Sequence, residues 1–229
     1  MPASRVRQES AAKKMAIHRT KLKRTAGDVD VAAALHDWLP RPALFDAEHE
    51  WCRERVAVAR ALADVGVGPT DSGWPQDLHW SWAYKAAACR LPRLEASGDV
   101  RLFGVKADRR WQGLLLGLSE GHTSRLAPLQ EPLVYIDYIE AAPWNWDVRP
   151  IRQVGRFKGV GTQLMELAVR WSMSLGFEGR IGLHSLPQAK GFYSGRCQFR
   201  ELGVDPNYHR LTYFELTAAG ARTFLGSRR

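Results

Sequence analysis

The stretch Arg156-Phe157-Lys158-Gly159-Val160-Gly161 decides how the rest of this 229-residue chain is read. An apolar stripe at helical spacing starts inside it: Val160, Leu164, Leu167, Ala168, Trp171 and Leu175, closed by Gly176. Two glycines in alternate positions leave the backbone without Cβ atoms where that helix begins. Its first N–H groups have no partner inside the helix and lie at the positive end of the helix dipole. Arg156 and Lys158 add full charges beside them. Such a place suits a phosphate or pyrophosphate.

Two glycine-rich phosphate sites do not fit. A P-loop requires Gly-Lys-Ser/Thr, where this chain reads Gly161-Thr162-Gln163. A dinucleotide fingerprint requires a third glycine, where Leu164 stands, and a strand immediately upstream.

Outward from the motif the apolar period becomes that of strands. Leu133–Ala142 is rich in β-prone residues and is stopped by Pro143. Val100–Val105 and Leu114–Leu118 flank the polar turn Asp108-Arg109-Arg110 and read as a hairpin. Downstream, Arg180–Leu183 reads as a strand, Gln188–Cys197 as a short helix, and Phe199–Leu202 and Leu211–Leu216 as the last strands. This order predicts an α/β fold, a mixed sheet with helices packed on it. Before Gly98 the pattern is helical. Val31, Leu35 and Trp38 recur at helical spacing, and residues 46–65 place Trp51, Val56, Ala59, Leu62 and Ala63 near one face. A third helix follows Trp74–Trp82 and runs to about Arg90. Trp74, Trp80 and Trp82 suit a stacking platform for a flat substrate or, the commoner use, a bulky core wall.

Composition bounds the answer. The chain is 45% hydrophobic and 25% charged, ordinary for a globular protein of this length. No apolar run approaches the roughly 18 residues that span a bilayer, and the N-terminus carries no apolar signal core. Cys52, Cys89 and Cys197 are far apart and form no CxxC pair, which argues for a reducing, cytoplasmic setting. His36, His49 and Cys52 lack metal-ligand spacing, so no metal is expected. The net charge of +9 is concentrated: residues 1–24 hold eight Lys or Arg against Glu9 alone. Residues 1–27 therefore read as a basic, disordered arm able to attach to nucleic acid or another polyanion. Residues 28–97 read as a helical N-terminal part, and residues 98–229 as the core that carries the anion site.

Arg156-x-x-Gly159-x-Gly161 matches in full the [RQ]-x-x-G-x-[GA] motif of the GCN5-related N-acetyltransferases (GNAT). The surroundings resemble that family too. A strand ending in Ala141-Ala142-Pro143 precedes the motif, and Ala189-x-x-Phe192-Tyr193 is similar to the family's A-x-x-F/L-Y helix. Arg196-Cys197-Gln198-Phe199 departs from it, with Gln198 where the family usually has glycine and one extra residue between. Tyr135–Asn145 is similar to a subgroup whose strand ends in Ala-Pro-Trp-Asn. The resemblance covers roughly residues 98–217. It implies a GNAT fold, a mostly antiparallel sheet splayed between the 133–142 and 180–185 strands with helices on both faces. It also implies acetyl-CoA as co-substrate. The pyrophosphate would lie on Arg156, Phe157, Lys158, Gly159, Val160, Gly161 and Thr162, and the pantetheine arm along Ile139 and Ala141.

Amide formation from a thioester needs a neutral amine, a polarised carbonyl and a proton for the departing thiolate. The resemblance implies Tyr193 as the proton donor. Candidates for the base are Glu140, His184 and Asp137, with Ser185 as an orienting group. Asp137 and Glu140 lie three apart and point to opposite faces of a regular strand; a bulge would relax that rule. The expected activity is acetyl transfer to a primary amine by direct attack in a ternary complex. The competing expectation is a non-catalytic module of the same fold that engages nucleic acid through residues 1–24.

Overall fold

A computed structural model of the chain describes residues 17–88 and 99–227. Among these, nine strands form one sheet: β1 (Ile17–Arg24), β2 (Val29–His36), β3 (Val100–Ala107), β4 (Arg110–Leu118), β5 (Val134–Ala141), β6 (Phe157–Lys158), β7 (Ile181–Ser185), β8 (Arg200–Val204) and β9 (Thr212–Leu216). Their order is β6-β1-β2-β3-β4-β5-β7-β9-β8. Only β5 and β7 pair in parallel; the other described ladders are antiparallel. The helices are α1 (Pro42–Asp64), α2 (Trp82–Ala88), α3 (Val160–Ser174) and α4 (Ala218–Gly226). No described helix is long and apolar enough to cross a membrane.

Side-chain alternation divides the core into two layers. Phe103, Val105, Leu115, Val134 and Ile136 face α3, whose Val160, Leu164, Leu167, Ala168 and Trp171 are buried against them. Leu102, Leu114 and Leu116 face the other way and meet Leu44 and Trp51 of α1 and Trp82 of α2. The tryptophan-rich stretch thus contributes Trp82 to the core, which is fully buried.

From β3 onward the expected strands and the helix opened at Val160 appear within a few residues of their expected places, and β6 and α4 are additional. The segment expected as one helix at 188–197 is a 3-10 turn, Pro187–Ala189, followed by a π-helical turn, Phe192–Arg196. The N-terminal third requires correction. Residues 29–36 are a strand, not a helix. Val31 and Leu35 are four apart, a spacing that shares one side in a strand as well as in a helix, and Ala33 between them is buried too. The basic segment is also not an arm throughout. β1 pairs with β2 from Ile17↔His36 to Arg24↔Val29 and with β6 on its other side. Leu22 is the one buried side chain of β1. Backbone hydrogen bonds hold this strand, so its composition reads as solvated. Residues 1–16, Cys89 and the expected end of the third helix near Arg90 lie outside the described residues. Helix α1 starts at Pro42, in the first turn where proline's missing N–H costs nothing. Its buried side carries Arg55, whereas Val56 is exposed.

Two features of β5 shape the centre of the sheet. Its ladder with β7 covers only Val134–Ile136 against Ile181–Leu183, after which the strands part. At that level β5 also bulges. Ile136 lies opposite Gly117 and Tyr138 opposite Leu116, leaving Asp137 as the extra residue. Asp137 accepts the Tyr208 hydroxyl at 3.4 Å, in the cluster of Tyr135, and Leu118 links that cluster to the one containing Leu116 and Tyr138. Asp137 and Glu140 therefore share a face, and strict alternation does not apply to them.

Candidate active site

Helix α3 begins at Gly159, whose φ of 87° lies in the left-handed region that glycine adopts without strain. The first helical bond runs from Gln163 N to Gly159 O at 3.0 Å. The amides of Gly161 and Thr162 therefore belong to the first turn, where no helical partner exists. No acidic residue lies in that turn to offset the dipole. Gly161 has a second reason to be glycine, since a Cβ there would come 3.1 Å from the Phe192 ring.

The end of β5 fixes the loop ahead of this helix. Asn145 Nδ2 donates to Gln112 O and to Gln112 Oε1, both at 3.1 Å, while its Oδ1 accepts the Phe157 N–H at 3.1 Å. Trp144 Nε1 donates to the same Gln112 Oε1 at 2.7 Å. Gly155 passes so close that a Cβ would stand 2.4 Å from the Asn145 carbonyl oxygen. The Ala-Pro-Trp-Asn stretch thus ties the anion loop to β4.

A cavity of about 620 Å³ opens in front of the turn. Its wall takes Ile139, Glu140 and Ala141 from β5, Phe157 through Thr162 from the loop and α3, and Phe192 and Tyr193 from the π turn. A smaller space of about 70 Å³ lies in the gap between β5 and β7; Asp77, Ile139, Ala189 and Tyr193 line both.

No protein-family model and no curated protein matches this sequence. Solved structures do. One is apo FdhC, described as a nucleotide-linked sugar GNAT, at 11% identity and TM-score 0.53 over 92% of this chain and 96% of that one. An uncharacterized protein from Bacillus halodurans aligns at 8% identity and TM-score 0.50 over 91% and 94%. Mycobacterium smegmatis RimJ in complex with CoA-disulfide aligns at 16% identity and TM-score 0.49 over 93% and 95%. The fold is the GNAT fold.

Within this GNAT fold the residues singled out from sequence separate. Tyr193 is 5% exposed, its ring packed against Phe192, Phe199 and Phe214. Its hydroxyl has no hydrogen-bond partner among the described residues. Burial raises its pKa, with Cys197 and Asp77 adding to the effect, so the phenol stays protonated.

The Glu140 side chain is fully buried on the α1 side of β5. Its Oε1 accepts from Arg55 Nη2 at 2.9 Å and its Oε2 from Trp82 Nε1 at 2.7 Å. Arg55 Nη1 donates to Glu48 at 3.0 Å, and Glu48 in turn accepts the Trp82 N–H at 2.8 Å. Burial pushes the Glu140 carboxyl up to about 8 against the pull of Arg55 and Trp82. What Glu140 presents to the large cavity is backbone.

His184 lines the gap, but both its ring nitrogens are engaged, Nδ1 with the Tyr135 hydroxyl at 2.8 Å and Nε2 with Asp205 at 3.1 Å. Burial lowers its pKa against the opposing Asp205 carboxylate. Ser185 is buried, and its hydroxyl donates to Leu186 O at 2.8 Å. Lys158 lines the large cavity, whereas Arg156 lines a neighbouring one of about 590 Å³ with Arg24, Arg110 and Trp144. Sequence reasoning passed over Asp77, which lies in the loop between α1 and α2 and belongs to no motif. Among the described residues no cluster of three or more His, Cys, Asp or Glu side chains could hold a metal.

Proposed function

We propose that this protein is an acyltransferase that moves an acetyl group from acetyl-CoA to a primary amine. The observation that carries the reading is the 620 Å³ cavity, which joins a helix N-terminus without acidic residues to an unpaired stretch of β5 and a buried tyrosine. A pyrophosphate fits the Gly161 and Thr162 amides with Lys158 beside them. On the gap side of β5, Ala141 O already accepts Trp146 Nε1 at 2.9 Å. The backbone of Ile139 and the Ala141 N–H are then the parts left for the amides of a pantetheine arm. That arm would bring its thioester toward Tyr193, whose protonated hydroxyl supplies the departing thiolate.

The competing nucleic-acid module finds less support. Four of the eight basic residues counted in the arm (Arg19, Lys21, Lys23 and Arg24) belong to β1. Three of them pair with acids: Lys21 with Asp30, Lys23 with Asp28 and Arg24 with Asp108.

Calorimetry with acetyl-CoA, followed by an acceptor screen read as CoA release, tests the proposal. Micromolar binding that weakens on Lys158→Glu is expected. No binding, or binding indifferent to that reversal, would overturn it.

A further inference from the structure

The group that takes the proton from the acceptor amine has no obvious holder among Glu140, His184 and Asp137. We propose that Asp77 is that group, a general base that receives a primary ammonium where three cavities meet; the inference rests on the acyl-transfer reading above. Asp77 lines the 620 Å³ cavity assigned to the donor, the 70 Å³ gap between β5 and β7, and a third cavity of about 430 Å³ bounded by Trp74, Trp146 and Arg149. With the donor in the first, the third is the open approach for an acceptor, and the two meet in the gap that Asp77 shares with Tyr193.

One side chain holds the carboxylate, and its own backbone N–H adds to that hold. Gln188, in the turn after β7, accepts the Gln76 N–H at 2.8 Å and donates to Asp77 Oδ1 at 2.9 Å. Leu78 packs the same loop against Val58, Leu62 and Val148. Asp77 Oδ2 has no side-chain donor among the described residues. Of the other candidates, Glu140 has a donor on each oxygen and His184 a partner on each nitrogen; Asp137 accepts from Tyr208 through one oxygen and lines the gap but neither of the two larger cavities that Asp77 joins to it.

Burial raises the Asp77 carboxyl above the ordinary aspartate range, which makes its carboxylate a stronger base. Arg55 from α1 and His79 from its own loop favour the ionised form. The Asp77 carboxylate in turn raises the Glu140 carboxyl on β5, and Asp147 lines two of the same cavities. Tyr193 and Gln188 face it as neutral groups.

The step balances. Asp77 takes one proton from the ammonium, and the freed amine forms the N–C bond at the thioester carbonyl. The C–S bond breaks, the thiolate sulfur takes the Tyr193 proton, and the amide nitrogen returns its surplus proton to the tyrosinate. Asp77 releases its proton to water.

Ethylamine is the probe, a primary amine small enough for a 70 Å³ space. Three measurements are made on wild type and Asp77→Asn: acetyl-CoA binding by calorimetry, ethylammonium binding to the CoA complex by NMR titration, and CoA release across the neutral to alkaline range. We expect unchanged acetyl-CoA affinity, several-fold weaker ethylammonium binding, and about a hundredfold slower turnover near neutrality. The deficit should shrink as pH rises and the amine deprotonates unaided. Gln188→Ala should reproduce part of the loss. Equal ethylammonium binding in the two proteins, turnover within a factor of about two, or a deficit constant with pH would each overturn the assignment. Failure of wild type to bind acetyl-CoA would instead remove the donor reading beneath it.

Discussion

Replacing Glu140 by glutamine probes the most deeply buried carboxyl near the site. The folded carboxyl titrates near 8 against 4.5 for a free glutamate, because burial disfavours its ionised form. A group whose folded pKa is raised favours folding while protonated and loses that contribution as pH climbs through the folded value. The window here is about 4.5 to 8. At about 1.4 kcal/mol per pH unit, ionising Glu140 in place costs on the order of 5 kcal/mol over that window. Its side chain has no solvent exposure, so screening takes little away. Glutamine keeps the shape and the acceptor for Arg55 or Trp82 but cannot ionise. Urea unfolding at closely spaced pH from about 5 to 9 should show the two proteins nearest each other, or the variant weaker, at the acid end. The variant should then gain on wild type by several kcal/mol toward the alkaline end. A difference that stays flat, or one that moves against the variant as pH rises, would refute the account and show Glu140 ionised throughout as the partner of Arg55. Acetyl-CoA affinity should not change, since the carboxylate faces α1 and α2.

Other substitutions separate donor binding, chemistry and stability. Tyr193→Phe should lower kcat by about a hundredfold in the same CoA-release assay. Its acetyl-CoA Kd and unfolding midpoint should stay at wild-type values, because the hydroxyl has no partner to lose. Lys158→Glu should weaken acetyl-CoA binding about tenfold or more, and Arg156→Glu much less, since only Lys158 lines the large cavity; equal losses in calorimetry would contradict the two-cavity geometry. Gly155→Ala pushes a Cβ to 2.4 Å from the Asn145 carbonyl oxygen, a backbone atom that cannot rotate away. It should cost about 1–3 kcal/mol in thermal or urea unfolding and loosen the loop that Asn145 holds through Phe157, weakening acetyl-CoA binding as well.

What could be read from sequence depended on how far each feature reaches along the chain. The anion turn is local: Gly159, Gly161 and the start of α3 lie within one helical turn, so residue type and spacing suffice. β3, β4, β5, β7 and β9 show themselves because they are largely buried and read as apolar, β-prone runs. β1 does not, because its hold is a backbone ladder that charged side chains conceal. Distant partners leave no local trace at all. Glu140 meets Arg55 across 85 residues, and Asp77 meets Gln188 across 111. From sequence, Glu140 on the strand beside the thioester is a candidate, and Asp77 in its unpatterned loop is passed over. The partners set the two apart. A carboxylate with Arg55 on one oxygen and Trp82 on the other is held in place, and moving a proton through it means dismantling a buried network. A carboxylate with Gln188 on one oxygen is oriented by that bond and keeps the other oxygen for an incoming ammonium. The difference between the structural acid and the base proposed for this gap is an oxygen without a side-chain donor, on a residue that lines all three cavities.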